Sequence, residues 1–296
     1  MIETDTFRRI YRLSRSRTDF YSVAFAPDSM TFATVSIDSS QNPDLEKLVL
    51  WDAATGGQVR TLVSDAPGLN AVNNLSFSKD GRWLVSHAGG IVRIFDVETG
   101  QEVRRLLPPP APSGLEPAAS LLSPDGKRLV AHYRVFNPPD FYHVIQGYEL
   151  DTGHEVALDS NVYRDWRFAP DSMMLAISAS TDVGKITQRA VAEIWDTATW
   201  TRKRVIEAPS GWQGVFTVDL SPDGQIVAIG GRGMFGLFSV ETGELLVEKF
   251  HPSGSSDSVL YYDLTWIEFS PDGKSLLTGG NDGTVKLWKI KQKSTQ

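Results

Sequence analysis

One turn recurs six times along this chain, and it limits what the rest can become. The copies are Ala26-Pro27-Asp28-Ser29, Ser78-Lys79-Asp80-Gly81, Ser123-Pro124-Asp125-Gly126, Ala169-Pro170-Asp171-Ser172, Ser221-Pro222-Asp223-Gly224 and Ser270-Pro271-Asp272-Gly273. Their aspartates stand at 28, 80, 125, 171, 223 and 272, at spacings of 52, 45, 46, 52 and 49 residues. Pro fits the second position of a type I turn, and Gly accepts the left-handed conformation that closes the loop. Self-similarity at this period marks a repeat architecture.

The last copy is the cleanest. Residues 267–290 hold three short apolar runs, with Asn281-Asp282-Gly283 as the second turn. Asp-Gly between apolar runs signals a hairpin, so this unit is a three-stranded antiparallel meander. The other units follow it. A strand with alternating large residues precedes each turn: Val23/Phe25, Leu75/Phe77, Trp166/Phe168, Val218/Leu220 and Ile267/Phe269, with a weaker Ser120/Leu122. A nearly continuous apolar run follows each turn, which requires burial on both faces. Each third strand ends on an aromatic: Trp51, Phe95, Tyr148, Trp195, Phe238 or Trp288. A turn ending Thr-Gly closes four of these strands, and Ala198-Thr199-Trp200 replaces it in a fifth. More polar fourth strands come next, at residues 58–63, 102–107, 154–158, 201–206 and 244–250, as suits an outer edge. Little of the chain reads as helix.

The sixth unit runs into a polar tail, residues 291–296, in place of a fourth strand. Thr6-Phe7-Arg8-Arg9-Ile10 matches Glu102-Val103-Arg104-Arg105-Leu106 in pattern. The N-terminal strand is therefore expected to pair with the last unit and close a ring, which leaves only short outer edges.

These residues resemble the WD-repeat family. The resemblance rests on Trp51-Asp52, Trp195-Asp196, the six turns in register with six aromatics, and the closing Thr278-Gly279-Gly280-Asn281-Asp282-Gly283-Thr284-Val285-Lys286-Leu287-Trp288. It covers almost the whole chain. It implies an all-β fold: a β-propeller of six four-stranded antiparallel blades closed by the N-terminal strand, forming one domain over residues 1–296. Seven blades, commonest in the family, would require a longer protein or an assembly. The family's Gly-His pair before each first strand is not visible. Its buried His–Ser/Thr–Asp–Trp network is expected to survive only as Thr278, Asp282 and Trp288, with apolar contacts holding the blades instead.

Composition narrows the function. The chain of 296 residues has no cysteine, which excludes disulfides and thiolate chemistry. A formal charge of -7 argues against broad nucleic-acid or anionic-membrane binding. No apolar run reaches a membrane-spanning length, and the acidic start lacks a secretory core, so a cytoplasmic protein is expected.

Within the resemblance, the long insertions fall on the propeller face that joins strands two to three and four to one: residues 36–47, 133–142, 178–189 and 251–263. Variable loops on a rigid scaffold are where binding residues concentrate. This face carries Tyr133, Arg134, Phe136, Phe141, Tyr142, Trp212, Arg232, Tyr261 and Tyr262, residue types that anchor protein interfaces. Asn137-Pro138-Pro139-Asp140 would stiffen one of its loops. The expectation is a non-catalytic scaffold or adaptor for a protein or peptide partner, without cofactor or metal. Arg8, Arg9, Arg12, Arg15 and Arg17 read as an outer strand whose charge blocks edge pairing. His132 and His143 flank one insertion but lack companion ligands at a metal spacing. The alternative is a metal-dependent propeller hydrolase or lactonase, with Asp165, Asp219 and Glu268 converging at the channel mouth.

Overall fold

The computed structural model describes residues 18–38, 45–67, 72–88, 91–107, 115–137, 140–158, 162–181, 189–212, 214–251 and 264–290. The chain divides into two compact units, Met1–Leu122 with Ala131–Phe141, and Ser123–Val130 with Tyr142–Gln296. The expected closing strand and the 291–296 tail lie outside the described residues, as do the five N-terminal arginines.

Every described element is a strand, and the strands form six antiparallel sheets. The first holds β1 (Thr18–Phe25), β2 (Thr31–Asp38), β3 (Leu45–Asp52) and β4 (Gln58–Pro67). The second holds β5 (Val72–Phe77), β6 (Trp83–Ala88), β7 (Ile91–Asp96) and β8 (Glu102–Leu106). The third holds β9 (Leu115–Leu122), β10 (Arg128–Asn137), β11 (Asp140–Glu149) and β12 (Glu155–Leu158). The fourth holds β13 (Val162–Phe168), β14 (Met174–Thr181), β15 (Arg189–Asp196) and β16 (Thr201–Glu207). The fifth holds β17 (Val215–Leu220), β18 (Ile226–Gly231), β19 (Met234–Ser239) and β20 (Leu245–Phe250). The sixth has three described strands, β21 (Leu264–Phe269), β22 (Ser275–Gly280) and β23 (Val285–Lys289). In each sheet the strands pair in chain order. No described helix is long and apolar enough to cross a membrane.

The recurrent turn works as the residues demand. In all six copies the aspartate Oδ1 accepts the backbone N–H two residues on, from Met30, Arg82, Lys127, Met173, Gln225 and Lys274, at 2.8–3.1 Å. Where Ser precedes, its hydroxyl donates to the same carboxylate. It also accepts an N–H from the incoming second strand, as Ser270 does from Ser275 at 2.9 Å. These hydroxyls hold the carboxyls of Asp80, Asp223 and Asp272 below the usual range. The Asp that follows the third-strand aromatic builds the second tight turn in the same way: Asp52, Asp96 and Asp196 each accept from the Thr three residues on.

Five of the six second strands are buried on both faces, as their apolar runs require, while β22 leaves Leu277 exposed. In the first unit Ala33, Val35, Leu48 and Leu50 pack against Leu75, Leu84 and Phe95 of the next sheet. In the second unit Ala176, Ala192, Ile194 and Ile206 pack against Val218, Leu220, Val227 and Phe238. Each such large side chain contributes about 1.5–3 kcal/mol relative to exposure.

Tightening the turns tests their design. Ser29 sits at φ 59° where four other copies carry Gly at 67–74°. Ser29→Gly should raise stability by about 0.5–1 kcal/mol in denaturant unfolding, because the left-handed region strains a side chain. Ser172 has the same kind of φ, 64°, but its hydroxyl accepts the Asp125 N–H at 3.0 Å. Ser172→Gly should therefore yield no gain.

Candidate functional site

The described part of the second unit contains two polar constellations that apolar packing does not explain. The first ties the fifth sheet to the sixth. His251 follows β20 directly and is 3% exposed. Its Nδ1 lies 2.9 Å from the Thr278 hydroxyl, and its Nε2 lies 2.8 Å from the Thr284 hydroxyl. Trp288 Nε1 donates to the Thr278 hydroxyl at 2.8 Å, and the Thr284 hydroxyl donates to Asp282 at 2.9 Å. An indole N–H can only donate and a carboxylate only accepts, so the proton order is fixed. Trp288 gives to Thr278, which gives to Nδ1; Nε2–H gives to Thr284, which gives to Asp282. The imidazole is neutral in this order of bonds, and burial lowers its pKa accordingly.

This corrects the expectation that the buried histidine is missing. His251 supplies it, preceded by Phe250 rather than Gly and separated from β21 by residues 252–263. Elsewhere the network is partial. In the first sheet Trp51 Nε1 donates to Thr34 at 2.9 Å. In the fourth, Ile177 occupies the Thr278 position, and Trp195 Nε1 turns to Glu193 at 3.0 Å.

The second constellation lies on three consecutive first strands. Asp165 on β13 accepts from Arg167 at 2.6 Å, from the Thr217 hydroxyl at 2.9 Å and from Val218 N–H at 3.2 Å. Its burial outweighs the Arg167 attraction, and its pKa is raised. Asp219 on β17 accepts the Phe269 N–H at 2.7 Å. Burial pushes the Asp219 carboxyl up to about 6 despite that bond and the nearby Arg167, and Glu268 adds to the rise. The Arg167 guanidinium stands 4.6 Å from the centroid of the Trp266 ring, whose Nε1 donates to Glu268 at 2.9 Å. So Asp165, Asp219 and Glu268 do occupy the first strands of neighbouring sheets. Asp165 and Asp219 are nevertheless engaged in tying first strands together. Among the described residues no three His, Cys, Asp or Glu side chains are placed to hold a metal ion.

The docking residues expected from sequence divide. Tyr133 is on strand β10, not on a loop, and is fully buried with its ring 6.0 Å from that of His87. His87 is itself fully buried, and burial lowers its pKa to about 4, so it is neutral near pH 7. Trp212 is pinned: its Nε1 donates to Glu248 at 2.8 Å, and its ring meets Phe238 edge-on at 6.3 Å. Tyr133 is withheld from a partner in this state, while Trp212 is half-buried. Arg134 is exposed on β10 and Arg232 is half-buried. Phe136, Phe141 and Tyr142 fall on β10 and β11, with side chains outside the described set. β10 and β11 run through Tyr133–Phe136 and Phe141–Val144 and form a hairpin where a loop was expected. Its Pro138-Pro139 tip, Tyr261 and Tyr262 lie outside the described residues. His132 is buried on β10 and His143 is half-buried on β11.

Similarity to known proteins agrees with the network. The profile of the family described as WD domain, G-beta repeat, matches residues 56–96 and 249–289. The second match spans His251, Thr278, Asp282 and Trp288. These two stretches are WD repeats. It is 30% identical over 118 residues to the small ribosomal subunit protein RACK1 of Caenorhabditis elegans, covering 38% of this chain and 33% of that one. It is 31% identical over 94 residues to protein HIR1 of Kluyveromyces lactis, covering 28% of this chain and 11% of that one. It is 27% identical over 135 residues to protein groucho of Drosophila melanogaster, covering 45% of this chain and 16% of that one. In each case the matched stretch covers a third or less of the relative's length.

Two substitutions examine these constellations. Thr278→Val keeps the shape but leaves Trp288 Nε1 and His251 Nδ1 unsatisfied. It should cost about 1–3 kcal/mol in chemical unfolding, whereas Ile177→Thr should not repay that loss. Asp219→Asn behaves differently. A folded pKa of about 6, above the reference 3.8, means stability falls as pH rises from near 4 to 6. Above that window the charged form bears the full cost. The substituted amide retains an acceptor for the Phe269 N–H, so the variant should be more stable by about 1–3 kcal/mol at pH 8. The gain should vanish below about pH 4. An unfolding series against pH reads both limits, and a difference that does not change with pH contradicts the assignment.

Proposed function

We propose that this chain, which carries WD repeats, is a non-catalytic protein-interaction scaffold. Its protein or peptide partner docks at the sheet ends that carry the two-to-three and four-to-one connections. One observation carries this reading. In every sheet the one-to-two turn is closed by the same Asp carboxylate bond. The opposite ends carry the connections that depart from the repeat, including the β10–β11 hairpin and residues 252–263. The locked ends keep the scaffold constant and leave the other ends to vary. Arg134 and Arg232, with Phe136, Phe141 and Tyr142 of the β10–β11 hairpin, are the proposed contact residues of this side, and the sequence adds Tyr261 and Tyr262.

A paired set of variants tests the proposal. Arg134→Glu combined with Tyr261→Ala should abolish capture of partners from native lysate with little change in melting temperature. Lys127→Glu combined with Lys274→Glu, at the locked ends, should leave capture intact. Loss of capture in the second set alone would reverse the assignment.

A further inference from the structure

The joint between the fourth and fifth sheets stays open at its locked end. Between the first and second sheets, and again between the fifth and sixth, the turn Gly of one sheet faces the turn Pro of the sheet before it. A Cβ on Gly81 would lie 3.6 Å from Pro27 Cδ, and one on Gly273 would lie 3.5 Å from Pro222 Cδ. Between the fourth and fifth sheets Pro170 does not reach Gly224. A Cβ there would meet only the tip of Met174, 2.6 Å from its Cε. A second contact loosens with the first. Arg60 and Arg204 hold the same register position, each paired with the residue before the third-strand Trp. The Arg60 side chain lies directly on Gly100 of the next sheet, so that a Cβ on that Gly would fall into it. Arg204 stands back from Gly243, whose Cβ would be 3.6 Å from Arg204 Cδ.

The space so left is a cleft of about 660 Å³, built wholly from residues of the second unit. Its apolar lining is Met174, Ile226 and Val240, all half-buried, and Leu246, which is 51% exposed on the outermost strand of the fifth sheet. Lys203 and Arg204 supply two cations from β16, against one lining carboxylate, Glu241. Arg204 Nη1 donates to the Thr242 carbonyl at 3.2 Å, and Lys203 Nζ lies 2.8 Å from Asp196. Both belong to Arg202-Lys203-Arg204, the one run of three consecutive cations in a chain of formal charge -7.

We propose that this cleft binds a short extended segment of a partner protein in which an aliphatic residue stands beside Asp or Glu. The aliphatic side chain enters between Met174, Ile226, Val240 and Leu246, and the carboxylate meets Arg204 and Lys203. The volume is that of a ligand site rather than a packing flaw. An unbranched Met at the mouth adapts to aliphatic side chains of different shape. A lining that is still partly wet suits one or two such side chains better than a long alkyl tail, and the cations turn away a basic segment. A carboxylate at Arg204 gains charge-assisted hydrogen bonds. The site lies at the turn ends of its sheets, opposite the variable connections, so it is a second docking site and does not depend on the first.

Random peptides displayed on phage and selected against the whole chain should include an enriched set that places Leu, Ile or Val beside Asp or Glu. Titrated into the chain, a peptide of that set should shift the methyl signal of Met174. It should leave the signal of Met234, at the far end of β19 from the cleft, in place. Arg204→Glu should weaken the peptide roughly tenfold or more in fluorescence anisotropy. Leu246→Asp, at a position already half exposed, should do the same with unchanged circular dichroism. Should Arg204→Glu misfold through loss of its Thr242 bond, Leu246→Asp decides alone. Arg134→Glu, at the variable ends, should leave the affinity unchanged, which separates this site from the other. Absence of the acidic and aliphatic set overturns the proposal. So does a peptide that keeps its affinity for both cleft variants, or one that loses it in Arg134→Glu.

Discussion

A short sheet that is apolar on both faces cannot stand alone. β18 shows the constraint: five of the six residues in Ile226-Val227-Ala228-Ile229-Gly230-Gly231 are buried. Such a strand needs a neighbouring sheet on each side, and the neighbours need neighbours in turn. Stability is then a sum over interfaces between repeats rather than a property of any one of them. The tight turns serve that stacking. By fixing the loops at one end of each sheet, the Asp and Ser bonds set where Val218 and Leu220, or Ile267 and Phe269, present themselves to the next sheet.

Polar groups enter this scheme where apolar packing alone would leave a joint loose. His251 belongs to the end of the fifth sheet, yet its ring bonds to the sixth through Thr278 and Thr284. It ties the end of the fifth sheet to the second strand of the sixth and to the turn that leads into its third. Asp165 and Asp219 do the same on the first strands, each accepting a backbone N–H from the following sheet. Asp219 does so at a cost, because its charge is held away from water. A carboxylate kept in place despite that cost favours one geometry over alternatives of similar apolar area.

Much of this is legible in the chain because turns and alternation are local signals. All six first strands end at the turns the sequence marks, and all six third-strand aromatics fall on third strands. The features that escape a reading of the sequence depend on distance. His251 escapes it because a twelve-residue insertion separates it from β21 and Phe replaces the expected Gly. Tyr133 reads as a loop residue because the Pro-Pro pair suggests an insertion, although the flanking residues are rich in strand-forming aromatic and β-branched types. Trp212 reads as a surface anchor because nothing local shows Glu248, thirty-six residues away, receiving its N–H.

Trp200 shows how far these repeats are from being interchangeable. It stands at φ 53° in a position that four other turns give to Gly at 71–79°. A Cβ placed on Gly147 of the third sheet would lie only 2.8–2.9 Å from its ring. The bulky residue and the missing side chain are therefore two halves of one feature, a key and its slot. A repeat with Gly at the first position would leave the slot empty, and one with a side chain at the second could not seat the key. The third and fourth sheets are thus matched to each other. The order of sheets is written into their interfaces, and repeats alike in their turns could not be shuffled.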